Sequence, residues 1–554
     1  MTSQTLTAST IAKASAAPLD GSEILRVVKD AAALQASIDD VKSFTLAEMK
    51  RYMPTPQDFG AVGDGETDDS DAFNEATEWV GVHGGGELFV PPGQYVVQDV
   101  ALLEGVGYRG AGQLASILRL PDSPSATMFK AGAVETFDGG GFFGLQLDGG
   151  GTTDYNAIDF SAVTTLEVTQ IVDCFIHHFN KAYRGSGAVG AGNDRFPVID
   201  RCRIWYNVVG LYINEHTIVK LADVRANDIG IQGRINDCQF LGTRINYNRI
   251  GLGPDGTNRM TNSTVADCTF YKNSEVTLDV GQANTIIGNY LVGTGSGCSG
   301  VILNGTRNQV LGNRIGLTVA GNSFGDGAVR FAFATSDLNV ISGNVFVSYD
   351  GPCITADSSV NLRVAKISEN TFFLKDNPAI SLLNAAGCPG LSILDNTIHF
   401  TGTLAGDLVD ITQPSVGMNI IGNHVFNEGG SITAAFGGSL SESTFALNRL
   451  RNSGAATGVL TDATLNATSI VRDNFGYKTA ASGTTTVTSA ATSVTVTHGL
   501  ARTPAAKDIM VTPTNSTDAA KFWVSDVGAT TFKINVDAAP GGSGATFGWR
   551  ADIL

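Results

Sequence analysis

The sequence predicts an all-β fold: a single-stranded parallel β-helix, preceded by a short N-terminal module and followed by a small C-terminal β-domain. Three observations predict it. Glycine is frequent, with 66 in 554 residues, where ordinary usage of ~7% would give roughly 39. Charged residues make up only 16%, against ~25% in ordinary domains, which favours short strands and tight turns over helices with salt-bridged faces. Most directly, asparagine recurs at a nearly fixed interval behind short apolar runs, in "IIGNYL", "VLGNRI", "ISGNVF", "ISENTF", "ILDNTI", "IIGNHVF", "FALNRL" and "VRDNF".

In chain order, residues 1–53 form the N-terminal module. "SEILRVVKDAAALQASIDDVKSFTLAEMKRYM" carries most of the helical periodicity, and the prolines of "MPTPQDFG" mark its end. The opening "MTSQTLTASTIAKASAAP" lacks the compact apolar core of a signal peptide. No run of ~18 apolar residues exists to enter a membrane. The β-helix spans 54–479 and opens on "FGAVGDGETDDSDAF", with five acidic residues between Asp64 and Asp71. Phe73, Ala76 and Val80 then share one helical face, and Gly84, Gly85 and Gly86 end it. A capping helix is therefore expected near 68–82. Asp68, Asp69 and Asp71 fall at its start, where carboxylates accept bonds from free backbone N–H groups; calcium ligation is the alternative. "ELFVPPGQYVV" gives two strands around a Pro-Pro-Gly turn.

The repeat justifies the rest of the helix. Its asparagines are Asn289, Asn313, Asn344, Asn370, Asn396, Asn423, Asn448 and Asn474, with intervals of 24, 31, 26, 26, 27, 25 and 26. A period of this length made of strands and turns means one coil per repeat, each burying its apolar face on its neighbours. Like residues of successive coils then stack, and asparagine amides bond up and down the ladder. Each unit carries a further strand, such as "GVILNG", "AVRFAF" or "PCITAD". Upstream, Cys174, Cys202, Cys238 and Cys268 take the asparagine position and read as a stack of small buried side chains, since their intervals of 28, 36 and 30 follow coil length rather than short metal-site spacing. Seven cysteines cannot all pair within one chain, so free buried thiols are expected. Residues 480–554 break the period and alternate as antiparallel strands.

These elements resemble bacteriophage tailspikes of the pectate-lyase-like superfamily. The resemblance rests on "DFGAVGDGETDDSDAF", "GGGELFVPPGQYVV" and "GVGYRGAGQLASILRL", about 60 residues that look like that family's first coil. "PLDGSEILRVV" is similar to virion-attachment segments of tail proteins, and "VTVTHGLARTPAAKDIMVTPTN" to terminal domains of phage fibres. The resemblance implies a right-handed helix and a homotrimer. It further implies attachment to the virion baseplate or tail through the N-terminus, and a C-terminal domain for trimerisation or carbohydrate binding. Such a protein is made in the host cytoplasm and acts from the phage tail on bacterial surface polysaccharide, capsule or O-antigen. Lyases, hydrolases and binding proteins share the fold, so it does not choose the reaction.

Other motifs carry less. "GVGYRG" matches a dinucleotide-binding pattern but is followed by a strand, not a helix; its glycines read as a corner between coils. His177 and His178 lack an acidic partner at metal spacing, and one is expected to face outward and one inward. Neither a cofactor nor a metal is expected. The net charge of −17 argues against a nucleic-acid partner.

A β-helix has no deep pocket, so chemistry must sit on an outer flank. Aligning "GLYINEH", "GIQGR", "GLGPDGT", "EVTLDVG" and "GVILNGT" puts Asn214, Arg234, Asp255, Asp279 and Asn304 at one outward position. Glu215 and Glu275 lie beside them, and Tyr212 and Gln232 two residues earlier. Asp255 and Asp279, one coil apart, should stand ~5 Å apart, and Glu215 and Asp255 ~9.5 Å, within the carboxyl spacings that glycosidases use. Tyr212, Trp205 and Tyr206 are candidates to stack on sugar rings. The leading expectation is an endo-glycosidase with Asp255, Asp279, Glu215 and Glu275 as its acids and Tyr212, Asn214, Gln232, Arg234, Trp205, Tyr206 and Asn304 binding substrate. The alternatives are a polysaccharide lyase, using Arg234, His216 or Lys220 as its cation, and a receptor-binding adhesin without catalysis.

Overall fold

The computed structural model describes residues 53–553 apart from 152–153, 188–193, 257, 318–320, 322, 383–384, 386, 454–457, 461–468, 476–477 and 516–519. The helical periodicity assigned to 1–53 lies almost wholly outside the described residues. The chain winds into a right-handed parallel β-solenoid of three sheets. Among the described residues the first sheet has 16 strands, from Gly86–Val90 to Ile470–Arg472; the second has 16, from Asp64–Asp68 to Arg449–Asn452; the third has 15, from Val100–Leu102 to Gly458–Leu460. Each coil takes one strand in each sheet, so the repeat holds three strands where the sequence showed two.

The asparagine ladder forms as expected, at the corner between first and second sheets. Asn396 donates from Nδ2 to Asn423 Oδ1 (2.9 Å) and to Ile367 O (3.0 Å), and accepts from Asn370 Nδ2 (3.0 Å). The residue before each asparagine sits in the left-handed region, Gly288 at φ 67°, Asp395 at 53° and Leu447 at 58°. That one residue turns the chain, and glycine takes it without a steric penalty. Two further ladders serve the other corners: Asn207, Asn227, Asn248 and Asn273, and Asn284, Asn308 and Asn339.

The cysteine series needs correction. Cys174, Cys202 and Cys268 do occupy the first-to-second corner, and Cys268 N–H donates to Asn289 Oδ1 at 2.8 Å. Cys238 instead occupies the third-to-first corner, where its N–H donates to Ser263 Oγ. Ala222 and Thr243 fill the two missing rungs, directly before Asp223–Arg225 and Arg244–Asn246. Among the described residues all seven cysteines are free and buried.

The helix Ser70–Val82 buries Phe73, Ala76 and Val80 over the first coils. Its acids meet the expectation in part: Asp68 accepts from the first helical N–H, that of Ser70, and Asp71 lies in the first turn, but Asp69 does not cap. Asp69, the N-cap, makes no side-chain capping bond; its carboxylate turns back to accept from Val62 N (2.6 Å) and Gly63 N (3.2 Å). Asp68 accepts from Ser70 N, and Asp64 closes its own turn on Glu66 and Thr67. These acids are thus occupied in fixing the entry loop. "GVGYRG" is not only a corner: Gly107 and Gly110 lie inside the first-sheet strand Val106–Gly110. A Cβ on Gly110 would come 2.5 Å from Gly144 O in the next coil. Among the described residues from 480 on, six strands form two three-stranded antiparallel sheets.

Candidate functional site on the third-sheet flank

The outer face of the third sheet carries a polar column. Asp159 pairs with Arg184, Arg184 with Tyr212, and Tyr212 with Gln232; further along, Asp279 pairs with Ile302 and Ile302 with Arg330. Alternation within each strand turns this column outward while Leu211, Ile231 and Leu278 fill the core.

Asp279 stands in this column, not in that of Asp255. The strand pairing passes from Leu252 opposite Leu278 to Met260 opposite Val280. Asp255 therefore leaves the sheet on a bulge, closed by paired backbone bonds between Asp255 and Asn258. Strand spacing thus does not give the distance between Asp255 and Asp279, and Arg259 takes the place beside Asp279, its Nε 3.0 Å from Oδ1. Asn304 lies two residues beyond the column and donates to Asp279 at 2.6 Å. Burial raises the Asp279 carboxyl above the ordinary value, with the Asn304 bond and the Arg259 charge opposing.

Asp255 reaches back two coils to accept from the Tyr212 hydroxyl at 2.5 Å. Burial, followed by this bond to a carboxylate, pushes the tyrosine up to about 12. Lys181 lies 5.8 Å from the centre of the Tyr212 ring, its pKa lowered mainly by burial and then by Arg184. Gln232 donates to Pro254 O at 3.0 Å and pins the bulge. Asn214 is buried and donates to Ser186. Three residues expected to bind substrate, Asn214, Gln232 and Asn304, are thus engaged in holding the flank together. Glu275 precedes the strand Val276–Val280 that carries Asp279, at its far end, and is ion-paired with Arg249 at 2.7 Å.

Glu215 sits at the third-to-first corner, 3.3 Å from Arg234 Nη2. Behind it is Asp194, which sequence reasoning missed. Asp194 is fully buried, accepts from Leu166 N at 3.2 Å, and is pushed up to about 6, first by burial and in smaller part by the charge of Glu215. Its backbone carbonyl lies 2.8 Å from His216 Nδ1. Lys181, Arg184, Arg259 and Arg330 were missed too. No periodic signal marks them, because each enters the flank by coil register.

Trp205 and Tyr206 belong elsewhere. Trp205 ends a second-sheet strand and Tyr206 follows it at that sheet's corner, so they do not join Tyr212. Trp205 packs against Phe175 at 5.2 Å, with Arg225 5.6 Å from its ring. Tyr206 stacks on His178 at 5.6 Å and 11°. His177 and His178 do have an acidic neighbour, Asp148, supplied by the preceding coil: His177 pairs with Asp148 in register.

No family model matches the chain. A stretch of 197 residues, 34% of the chain, is 28% identical to a mannuronan C5-epimerase of Azotobacter vinelandii and covers 20% of that protein. Another 74 residues, 12% of the chain, are 39% identical to alginate lyase 7 of the same organism and cover 9% of it. The chain thus spans a fifth or less of these curated relatives. Among solved structures, a variant of the tailspike of Escherichia coli bacteriophage HK620, in complex with a pentasaccharide, is similar over 92% of this chain and 95% of that one, at 12% identity and TM-score 0.48. The tailspike of Pseudomonas phage phi297 covers 91% and 99%, at 12% identity and TM-score 0.46. The A-module of a mannuronan C-5 epimerase of A. vinelandii covers 76% and 98%, at 13% identity and TM-score 0.34. These likenesses concern the fold alone.

Proposed function

We propose that the protein is a phage tailspike that binds and depolymerises a bacterial surface polysaccharide, and that the third-sheet flank is its active site. The carrying observation is the contrast between two acids there. Asp279 is recessed, with its carboxyl raised by burial, and Asp255 projects on a bulge and accepts a tyrosine hydroxyl. A carboxyl raised by burial suits the proton donor, and an acid carried out on a bulge is placed to meet water. Asp279 protonates the glycosidic oxygen and Asp255 activates water, which gives endo-glycosidic hydrolysis. Glu215, backed by Asp194, is the third acid, and Tyr212, Lys181 and Arg184 line the approach. The tailspike assignment rests on the sequence resemblance of the first coil; with it go a homotrimer and virion attachment through residues 1–53.

A second reading, β-elimination, is favoured by the cations on the same flank. A lyase must neutralise a uronate carboxylate before a proton leaves the adjacent carbon, and Lys181, Arg184, Arg259 and Arg330 surround the acids. The two curated relatives are named for mannuronan and alginate. Digestion of purified capsules and lipopolysaccharides separates these readings. New reducing ends without ultraviolet absorbance mean hydrolysis, and absorbance of an unsaturated sugar means elimination. Binding with neither would leave an adhesin and overturn the enzyme reading.

A further inference from the structure

We propose that Asp148, His177 and His178, on the outer face of the second sheet, form a binding site for one divalent first-row transition-metal ion of the zinc type. The site lies on a different sheet from the flank proposed for polysaccharide chemistry and does not depend on that reading. Its ligand atoms converge: His177 Nδ1 and His178 Nδ1 are 2.7 Å apart, and Asp148 Oδ1 is 3.3 Å from the first and 3.7 Å from the second. A tetrahedral zinc ion with arms of about 2.0–2.1 Å has ligand atoms about 3.3 Å apart, and the three observed separations bracket that edge. Two imidazoles and a carboxylate are a donor set suited to such ions, and three protein ligands leave a position open for water or an anionic group of a ligand.

The surroundings hold these atoms in place. Asp148 Oδ1 accepts from Gly150 N at 2.9 Å, which fixes the carboxylate. The far nitrogen of His177, Nε2, lies 3.0 Å from the carboxamide of Gln146. Turning that amide end over end presents its oxygen to the Nε2–H, the outer bond that holds a metal-binding imidazole in the required tautomer. His178 stacks on Tyr206, and His177 packs beside Phe175 at 4.3 Å. The nearest cation in the column, Arg119 of the preceding coil, is drawn away to Asp122 at 2.6 Å.

The test is isothermal titration calorimetry of zinc chloride into the full chain after chelator treatment, with visible absorption of the cobalt(II) form as a second readout. His178 is half-exposed and sits at φ 63°, which glycine adopts freely, so His178→Gly tests the site without unfolding it; Asp148→Asn is the second variant. The expected result is saturable uptake of one ion per wild-type chain, weakened about tenfold or more in each variant, with tetrahedral cobalt bands that both variants lose. Equal zinc affinity in wild type and both variants, or no saturable uptake by wild type, would overturn the proposal.

Discussion

At the scale of single residues, the two flank acids differ in setting: Asp279 is recessed and its carboxyl raised by burial, while Asp255 rides outward on a bulge. Asp279→Asn and Asp255→Asn should each lower kcat by about 10²–10⁴-fold, the range for loss of a general acid or base, in a reducing-end assay. Glu275→Gln should leave turnover within a factor of about two, since it lies beyond the far end of the strand Val276–Val280 from Asp279. Asp194 makes a separate prediction in pH. Burial pushes its carboxyl up to about 6, above the ordinary aspartate value of 3.8. The folded chain therefore keeps a proton that the unfolded chain has released, and the stability this gives is full below pH ~3.8 and lost as pH rises through ~6. Asp194→Asn should match wild type near pH 4 and exceed it near pH 7 by on the order of 3 kcal/mol, measured by urea unfolding across that range. Neither Asp194 nor the partner of His177 was legible in the sequence. Asp194 meets Glu215, and Asp148 meets His177, only through the turn of a coil.

At the scale of the coil and its corners, the asparagine ladder carries the fold, and it was the most legible feature because its period survives variation in every loop. Asn396 is buried, and its amide both donates and accepts between coils. Asn396→Ala strands those partners and should cost about 2–4 kcal/mol, read as a shifted urea midpoint. The residue before each rung has the opposite freedom. Leu447 is exposed and held at φ 58°, a conformation that costs most side chains about 1–2 kcal/mol. Leu447→Asn should raise stability by about 0.5–1 kcal/mol in the same experiment. The coil alignment failed where the marker asparagine is missing. Between Cys202 and Cys268 the corner is occupied by Ala222 and Thr243, which have no distinctive signature, so Cys238 looked like the next rung and the count slipped. The bulge that carries Asp255 was likewise invisible: periodicity counts residues along the strand and cannot tell which leave the sheet. That hidden bulge separates Asp255 from the column of Asp279.

At the scale of the whole molecule, the parallel solenoid lays one flank of acids and cations along the third sheet and a wall of Trp205, Tyr206 and histidines along the second. The architecture follows from the repeat, and the tailspike reading from the opening coil; the chemistry follows from neither, because it is assembled by register between coils. The most direct measurement is release of reducing ends from a panel of purified capsular polysaccharides and lipopolysaccharides by wild type, Asp279→Asn and Trp205→Ala, each first shown by circular dichroism to be folded. The account predicts cleavage of at least one polymer by wild type, its loss in Asp279→Asn and its retention in Trp205→Ala. Full activity in Asp279→Asn, or loss confined to Trp205→Ala, would contradict it and move the chemistry to the second sheet.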